Sequence, residues 1–268
     1  MKKISIVIVN YNSGSFLYRC LSSIVHFVKV DYEVVVVDNC SSDNSITLCH
    51  DFYEADNVVL IQLDDNLGFA KANNVGVLAC TGDIIHFLNP DTELRMEINQ
   101  DYLLVLENPT VVYVNDLENL DGTFVQSKNL IPTLKNCWYK LVCKHACNYW
   151  YTGATIIISK ENFGKIGKWN EKYFMYAEDM DLFYQINKHR IKIQKLSSVI
   201  THVGGASSSI VWSNMDREII KHRSFKLFYS INGIGWQYHI IALLIVLYQF
   251  FRNPKYACFL CKVYLRSQ

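Results

Sequence analysis

The sequence predicts an α/β fold, a mostly parallel central sheet flanked by helices and followed by a C-terminal helical appendage. Three observations predict it. Short β-branched apolar runs alternate with helix-length segments over the first ninety residues, the pattern of right-handed strand–helix–strand units. The runs are apolar throughout, as strands covered on both faces require. Each run also ends in a polar turn, so several Asn- and Asp-rich turns fall at the carboxyl edge of the strands, where ligands bind in such sheets.

Strands are expected at 4–9, 34–37, 58–61 and 84–88, with helices between them at 15–28, 45–53 and 69–79. The turns behind the strands are Asn10-Tyr11-Asn12, Asp38-Asn39, Asp64-Asp65-Asn66 and Asn89-Pro90-Asp91. One polar turn is ordinary; four on one edge mark a site. The second half is less regular, with strands expected at 111–115 and 154–159, a helix over 179–189 and a strand over 191–196. Residues 116–150 resist assignment. Their aromatic clusters, Cys137-Trp138-Tyr139 and Tyr149-Trp150-Tyr151, fit core packing better than an acceptor groove.

With 268 residues, 50% hydrophobic and 19% charged, the chain suits one sizeable core with a short appendage rather than two full domains. The net charge of +1 conceals an asymmetry. From 217 onward eight Lys/Arg face the single acid Glu218, whereas the preceding residues carry eighteen basic and twenty-four acidic groups. A basic tail on an acidic body points to a phosphate-rich surface, nucleic acid or anionic lipid. Nine scattered cysteines are odd in number and argue against a disulfide framework. The close pairs Cys143 with Cys147 and Cys258 with Cys261 lack a matching second pair for a zinc site. The apolar run after Met1-Lys2-Lys3 is too short for a signal peptide, so the body is expected to be cytoplasmic. The first strand is followed by Asn10-Tyr11-Asn12-Ser13-Gly14, which is neither a dinucleotide fingerprint nor a phosphate loop. Nicotinamide and P-loop chemistry are therefore disfavoured.

The densest chemical signal is Tyr173-Phe174-Met175-Tyr176-Ala177-Glu178-Asp179-Met180-Asp181-Leu182, with three carboxylates within four residues at the start of a helical pattern. Acids at a helix N-terminus also serve as caps. A second acidic turn, Leu88-Asn89-Pro90-Asp91, directly behind an apolar run favours a metal-assisted, base-assisted transfer reaction.

Further pieces recur in order: Val7-Ile8-Val9-Asn10-Tyr11-Asn12, Val36-Val37-Asp38-Asn39-Cys40-Ser41-Ser42-Asp43, the stretch from Asn66-Leu67-Gly68 through Asn73-Asn74-Val75-Gly76, and Phe87-Leu88-Asn89-Pro90-Asp91. Thr152-Gly153-Ala154, the acidic segment and His202-Val203-Gly204-Gly205-Ala206-Ser207 complete the set, which spans residues 4 to about 209. Together they resemble an inverting family 2 glycosyltransferase with the type A nucleotide-sugar fold (GT-A). Within that family the chain is similar to bacterial rhamnosyltransferase-like members that build O-antigen and capsule chains.

The resemblance implies a nucleotide-sugar donor held by Asn10, Tyr11, Asp38, Asn66, Gly68, Asn73, Asn74, Asn89 and Asp91. Tyr11 would stack on the base and Asp38 accept from base or ribose, with a turn cap as its alternative. Gly68 would let its loop approach the donor. Asn73 and Asn74 would face the sugar diphosphate, with capping or solvent exposure as their alternative. Asn89-Pro90-Asp91 stands at the family's Asp-X-Asp metal motif, and His202 at a position that reaches the metal or diphosphate, although a lone histidine is commonly structural. With Asp91 as its only carboxylate, the motif implies weak binding of Mg²⁺ or Mn²⁺ without nucleotide. Asp179 would be the base that takes the acceptor proton, with Glu178 orienting the acceptor or sharing that proton. Asp181 is a cap or a supporting partner. Trp169 and Tyr173 form either an apolar wall for an acceptor sugar or core. Two departures from relatives, Ser159-Lys160-Glu161 in place of a basic pair and a turn Lys188-His189-Arg190 without glycine, bear on substrate choice.

The implied reaction is hexosyl or rhamnosyl transfer, with dTDP-rhamnose as the expected donor and a lipid-linked saccharide as acceptor. The alternative is a non-catalytic nucleotide-sugar-binding or assembly subunit, supported by the reduced metal motif and opposed by the intact Glu178-Asp179 pair. Residues 1–212 are expected to form the transferase domain, with a nucleotide half at 1–115 and an acceptor half at 116–212, and 213–268 a basic and apolar tail. Within the tail, 240–251 is apolar but for Gln249 and too short to span a bilayer. A helix lying on the anionic inner face of the cell membrane is expected, with a buried or dimer helix as alternative. Nucleic acid is not expected as a partner, because the adjoining apolar run favours lipid. Nothing in the sequence sets an oligomeric state.

Overall fold

The computed structural model describes residues 3–142, 148–204 and 213–267. The pair Cys143 and Cys147, and Gly205-Ala206-Ser207 of the last motif, lie outside them.

Four parallel strands form one half of the sheet: β1 (Ile4–Asn10), β2 (Tyr32–Asp38), β3 (Val58–Gln62) and β4 (Ile84–Leu88), ordered β3-β2-β1-β4. β1 pairs with β2 from Ile4 opposite Tyr32 to Asn10 opposite Asp38, so the polar ends of the two strands lie side by side. All seven residues of β1 are buried. Its side chains alternate between two cores, as the strand period demands. Ile4, Ile6 and Ile8 pack with α1 (Ser15–Phe27) and α4 (Asn99–Glu107), while Val7 and Val9 pack with α3 (Phe69–Ala79) and α7 (Glu178–Lys188). Each such side chain contributes about 1.5–3 kcal/mol over exposure, so the uninterrupted apolar runs require helices on both faces. The helix expected at 45–53 is shorter: α2 (Ser45–Leu48) gives way to a 3₁₀ turn over His50–Glu54. Asn44 makes no side-chain cap there, and a single turn gains little from helix cooperativity.

Beyond β4 the sheet changes direction. β10 (Thr155–Ser159) runs antiparallel to β4, with Thr155 opposite Leu88. β6 (Val112–Glu118) and β11 (Ile193–His202) are parallel to each other, and β5 (Thr92–Leu94) runs antiparallel to β11. The order is β3-β2-β1-β4-β10-β6-β11-β5, with β7 (Phe124–Val125) paired to β6. β11 is longer than the strand expected at 191–196, because a register shift between Lys195 and Val199 lets it continue to His202. The reversal matters for the site. An antiparallel β10 brings its start, rather than its end, to the edge where β1, β2 and β4 finish.

Residues 116–150 resolve into the end of β6, β7, a ribbon of β8 (Lys128–Leu130) with β9 (Tyr149–Tyr151), and α5 (Leu134–Val142). Trp150 packs partly buried against core residues, whereas Trp138 is exposed. After β10 comes α6 (Lys160–Lys165), and the chain closes with α8 (Asn214–Ile231), α9 (Gly235–Arg252) and α10 (Pro254–Arg266). α8 is bound to the body through Phe228 and Tyr229, which share a core with Tyr173, Ala177 and Met180 around the start of α7. No helix among the described residues is long and apolar enough to cross a membrane.

The edge of the sheet opposite the polar turns is tied by Glu33. Its carboxylate accepts from Ser5 Oγ at 2.5 Å, Thr81 N at 2.5 Å, Thr81 Oγ1 at 2.7 Å, Gly82 N at 3.1 Å and Lys3 Nζ at 3.1 Å. Burial opposes its ionisation, but these donors outweigh burial and hold the carboxyl down at about 2. An acid with a lowered folded pKa stabilises the fold above its unfolded value near 4.5, and that gain is lost as pH falls towards 2. Glu33→Gln is expected to lower stability by about 2–3 kcal/mol at pH 7 in urea unfolding. The deficit should shrink steadily below pH 4.5, and a constant deficit would contradict the assigned role.

Candidate active site

The site assembles at the shared edge from four segments. At the end of β1, the Asn10 amide lies 2.8 Å from Asp38 Oδ1, 2.9 Å from Ser45 Oγ and 3.0 Å from Ser41 Oγ, while Ser13 Oγ donates to its carbonyl oxygen. Asp38 Oδ2 accepts from Ser41 N at 3.3 Å. Asn12, at φ 49°, accepts from Ser42 N at 2.8 Å and so ties the first polar turn to the second. Tyr11 is half-buried. The third turn is attached through Asn39, which donates to Asn66 Oδ1 at 2.8 Å and accepts from Leu67 N at 2.8 Å.

Asn66 in turn accepts from Gly68 N at 3.0 Å. Gly68 is at φ +82°, and a Cβ there would stand 2.4 Å from the Phe174 carbonyl oxygen. The glycine is thus required for contact with the segment before α7, and Phe69 N donates to that same carbonyl at 3.0 Å. The close approach expected towards a donor is made, in the structure, to Phe174.

The acids follow two strained residues. Tyr176 (φ 67°) and Ala177 (φ 65°) are both left-handed, a conformation that costs a non-glycine residue about 1–2 kcal/mol. The turn delivers Glu178 and Asp179 as the first residues of α7. Asp179 Oδ2 accepts from Gly153 N at 3.1 Å and Oδ1 from Met180 N at 2.8 Å. Burial raises the pKa of both acids, and the neighbouring Asp179 charge raises that of Glu178 further. The hydrogen bonds from Met180 and Gly153 work the other way at Asp179. Asp179 is therefore the first of the pair to ionise, and Glu178 holds its proton into the neutral range. Asp181 points elsewhere, as a supporting partner: Asn232 at the end of α8 donates to it at 2.9 Å and Asn170 at 3.3 Å.

The fourth segment is Asn89-Pro90-Asp91. Its backbone is held by Asn89 N donating to Ala154 O at 2.9 Å and Val203 N donating to Asp91 O at 3.0 Å. Because β11 pairs with β5 at His202 opposite Thr92, the His202 ring is carried to Asp91, with Nε2 at 3.2 Å from Oδ1. Two residues more than a hundred positions apart thus form one donor pair. Among the described residues no cluster of three or more acidic, His or Cys side chains could hold a metal. An ion here would be held by the Asp91 carboxylate, the ligand type that Mg²⁺ and Mn²⁺ favour, with the His202 imidazole beside it.

Three buried polar atoms along this edge, Asn89 Oδ1, Thr152 Oγ1 and Glu178 Oε2, have no partner among the described residues. An unpaired buried polar atom costs about 1–3 kcal/mol. Their grouping beside Asp91 and Asp179 fits a ligand that supplies the missing partners.

Several of the expected site residues are engaged within the protein in this structure. Asn73 donates to Phe69 O at 2.9 Å within its own helix. Asn74 donates to Trp169 O at 2.8 Å and Glu171 Oε1 at 2.9 Å, and accepts from Trp169 N at 3.3 Å, so it fastens the 169–171 segment to α3 instead of facing a diphosphate. Trp169 and Tyr173 are each 1% exposed and pack in the core, Trp169 edge-on to Phe69 and Phe87, with Trp169 Nε1 and the Tyr173 hydroxyl unpartnered among the described residues. Asn39, Thr152 and the Gly153 backbone were not among the expected site residues. Thr152-Gly153 belongs to a quoted motif, but a backbone N–H leaves no trace in residue type.

A model of the family described as Glycosyl transferase family 2 matches residues 5–142. The chain is 29% identical over 210 residues to the low-salt glycan biosynthesis hexosyltransferase Agl10 of Haloferax volcanii, a match covering 71% of this chain and 63% of that one. It is 30% identical over 120 residues to the glycosyltransferase GlyG of Streptococcus pneumoniae serotype 4, covering 44% and 40%. The chain therefore spans less than two thirds of either relative. Among solved structures, residues 1–349 of Staphylococcus aureus TarS in complex with UDP-GlcNAc superimpose with a TM-score of 0.60 at 19% identity, covering 86% of this chain and 66% of that one. GalNAc-T7 with UDP, GalNAc and Mn²⁺ gives a TM-score of 0.60 at 17% identity, covering 85% and 50%. These likenesses give the fold as GT-A, a mixed sheet flanked by helices.

The raised Glu178 pKa has a measurable sign. Below the unfolded value near 4.5 both states are protonated, and nothing is lost. As pH rises above it, the unfolded chain releases the proton that the fold retains, so stability falls. Glu178→Gln, neutral at every pH, is expected to melt about 4 °C or more above the wild type at pH 8 and within about 1 °C of it at pH 4. A lower melting temperature at pH 8 would refute the raised pKa.

Proposed function

This chain belongs to glycosyl transferase family 2, and on that footing we propose that it transfers a sugar, with inversion, from a nucleoside-diphosphate donor to a lipid-linked saccharide of a cell-surface glycan. The observation that carries this reading is the convergence of Asp179 and the Asp91–His202 pair on one sheet edge lined by unpaired polar atoms.

In this reading the acceptor hydroxyl attacks the anomeric carbon while its proton passes to Asp179 Oδ2 or Oδ1. The new carbon–oxygen bond forms as the bond to the diphosphate breaks, and the departing nucleoside diphosphate keeps the electron pair. A positioned base supplies about 10²- to 10⁴-fold. Glu178, still protonated, holds its unpaired oxygen ready to orient the acceptor. Asp38 and Asn66 shape the nucleotide pocket with Tyr11 at its lip, and Asn10 acts by fixing Asp38. Asp91, His202 and Asn89 would hold Mg²⁺ or Mn²⁺. A divalent ion there supplies positive charge to the leaving diphosphate.

The solved relatives carry UDP and UDP-GlcNAc, which supports a nucleotide-sugar donor. We keep dTDP-rhamnose as its identity and O-antigen or capsule as the product on the resemblance of the sequence motifs alone. Residues 1–212 are read as the transferase and 213–268 as its attachment to the inner face of the cell membrane. Trp236, Ile240, Leu244, Leu247 and Phe251 form one exposed stripe of α9, in a segment with a large excess of positive charge. That combination suits an anionic interface.

Donor binding is tested by thermal stabilisation against a panel of uridine and thymidine diphosphate sugars, with and without Mn²⁺. Asp179→Asn is expected to lower transfer about 10²-fold or more while keeping the donor dissociation constant within about twofold. Equal loss of donor affinity would remove Asp179 as base. Asp91→Asn and His202→Ala are expected to abolish the Mn²⁺-dependent part of stabilisation by the donor, and a wild-type response in both would remove the metal site.

A further inference from the structure

The three C-terminal helices line a cavity of about 530 Å³, open to solvent on one side, that the transfer site does not use. Its walls include Phe225 from α8, Ala242, Leu243 and Val246 from α9, and Leu260 and Leu265 from α10. This volume lies within the ~300–1,000 Å³ of small-molecule sites. The polar groups among its lining are satisfied internally: His239 Nδ1 lies 2.6 Å from the Tyr264 hydroxyl and His222 Nδ1 3.2 Å from the Tyr238 hydroxyl. A predominantly apolar lining of this kind suits hydrocarbon.

α9 therefore has two apolar faces. One, at Ala242 and Val246, lines the cavity, and the other is the exposed stripe already described, which Leu243, 59% exposed, adjoins. A helix serving only to rest on a membrane needs one.

The helix that lines the cavity also touches the segment before the acids. Ser224, next to the wall residue Phe225, donates to Met175 O at 2.7 Å, and Lys221, one turn earlier, lies 5.3 Å from the centre of the Tyr176 ring. Met175 and Tyr176 immediately precede Ala177 and Glu178. One turn of α8 thus touches both the cavity and the strained turn that delivers Glu178 and Asp179. The same helix carries Arg217, Lys221, Arg223 and Lys226 against Asp216 and Glu218, with Lys221 paired to Glu218 at 2.8 Å, and the remaining excess of positive charge complements a phosphate.

We infer that this cavity holds the aliphatic chain of a phosphate-bearing lipid acceptor, whose head group then lies beside the Tyr176–Ala177 turn. The inference rests on the proposed transfer to a lipid-linked saccharide and assigns the subsite for its chain. The lipid would be held by chain length and phosphate, leaving recognition of the saccharide to the sheet edge.

The probe is geranylgeranyl phosphate, below its micelle concentration, titrated calorimetrically against the full chain with glycerol phosphate as the chainless control. The long-chain probe is expected to bind at least tenfold tighter. Val246→Trp, which fills the cavity from α9, should weaken it at least tenfold. Leu244→Ser and Leu247→Ser, on the exposed stripe, should leave it within threefold. Ala242→Leu is the milder intrusion if Val246→Trp unfolds by circular dichroism, and should weaken the probe at least threefold. Equal binding of the two probes overturns the inference, as does wild-type binding by both cavity variants. Loss confined to the stripe variants also overturns it, by placing the chain on the outer face. Donor hydrolysis without acceptor is followed on the same samples. A wild type that discriminates the probes but never hydrolyses any donor counts against transfer and leaves the cavity assigned. One that hydrolyses donor without discriminating the probes counts against the cavity alone.

Discussion

The backbone contact between Gly68 and Phe174 holds the site together. The 66–68 turn belongs to the parallel half of the sheet and Phe174 to the segment before α7, and the two meet with no room for a side chain at position 68. Through Asn66 and Asn39 the contact reaches the ends of β1 and β2. Through the strained Tyr176–Ala177 turn it reaches Glu178 and Asp179. The polar edge of the parallel strands and the acidic helix are thus tied together. The left-handed residues persist because the packing of Tyr173, Ala177 and Met180 against Phe228 and Tyr229 over-determines their conformation.

Most of the polar groups at the edge are spent on the protein. Asn10, Asn39 and Asn74 each make two or more internal hydrogen bonds and hold turns in place. At that edge Asn89 Oδ1, Thr152 Oγ1 and Glu178 Oε2 are left without partners among the described residues. The division follows from cost. A side chain that anchors a turn must be paired at all times, whereas one that meets substrate is paired only when substrate is bound. The electrostatics have the same form. The N-terminus of α7 and two backbone N–H groups favour a charged Asp179, burial opposes it, and the result is a carboxyl that ionises ahead of its neighbour.

The C-terminal helices contribute to this arrangement from outside the sheet. Asn232 pairs with Asp181, Ser224 with the carbonyl of Met175, and Lys221 with the face of Tyr176, so the start of α7 is fastened on both sides. The segment rich in basic and exposed apolar side chains is the one bound to the acidic turn. Attachment of the tail to any surface therefore acts close to the acids.

The first four strands, the α3 helix and the polar edge were legible in the sequence, because continuous β-branched runs and the turns behind them are local signals whose period and composition need no tertiary information. The acidic helix start was legible for the same reason. Strand direction was not. β10 carries the same apolar residues whether parallel or antiparallel, yet its reversal brings Gly153 to Asp179, and the register shift in β11 brings His202 to Asp91. Nor could residue type separate Asn74, Trp169 and Tyr173, which the core absorbs, from Asn39 and Thr152, which stand at the edge. Amides and aromatics serve packing and ligands alike, and which they serve is set by the residues that long-range pairing places opposite them.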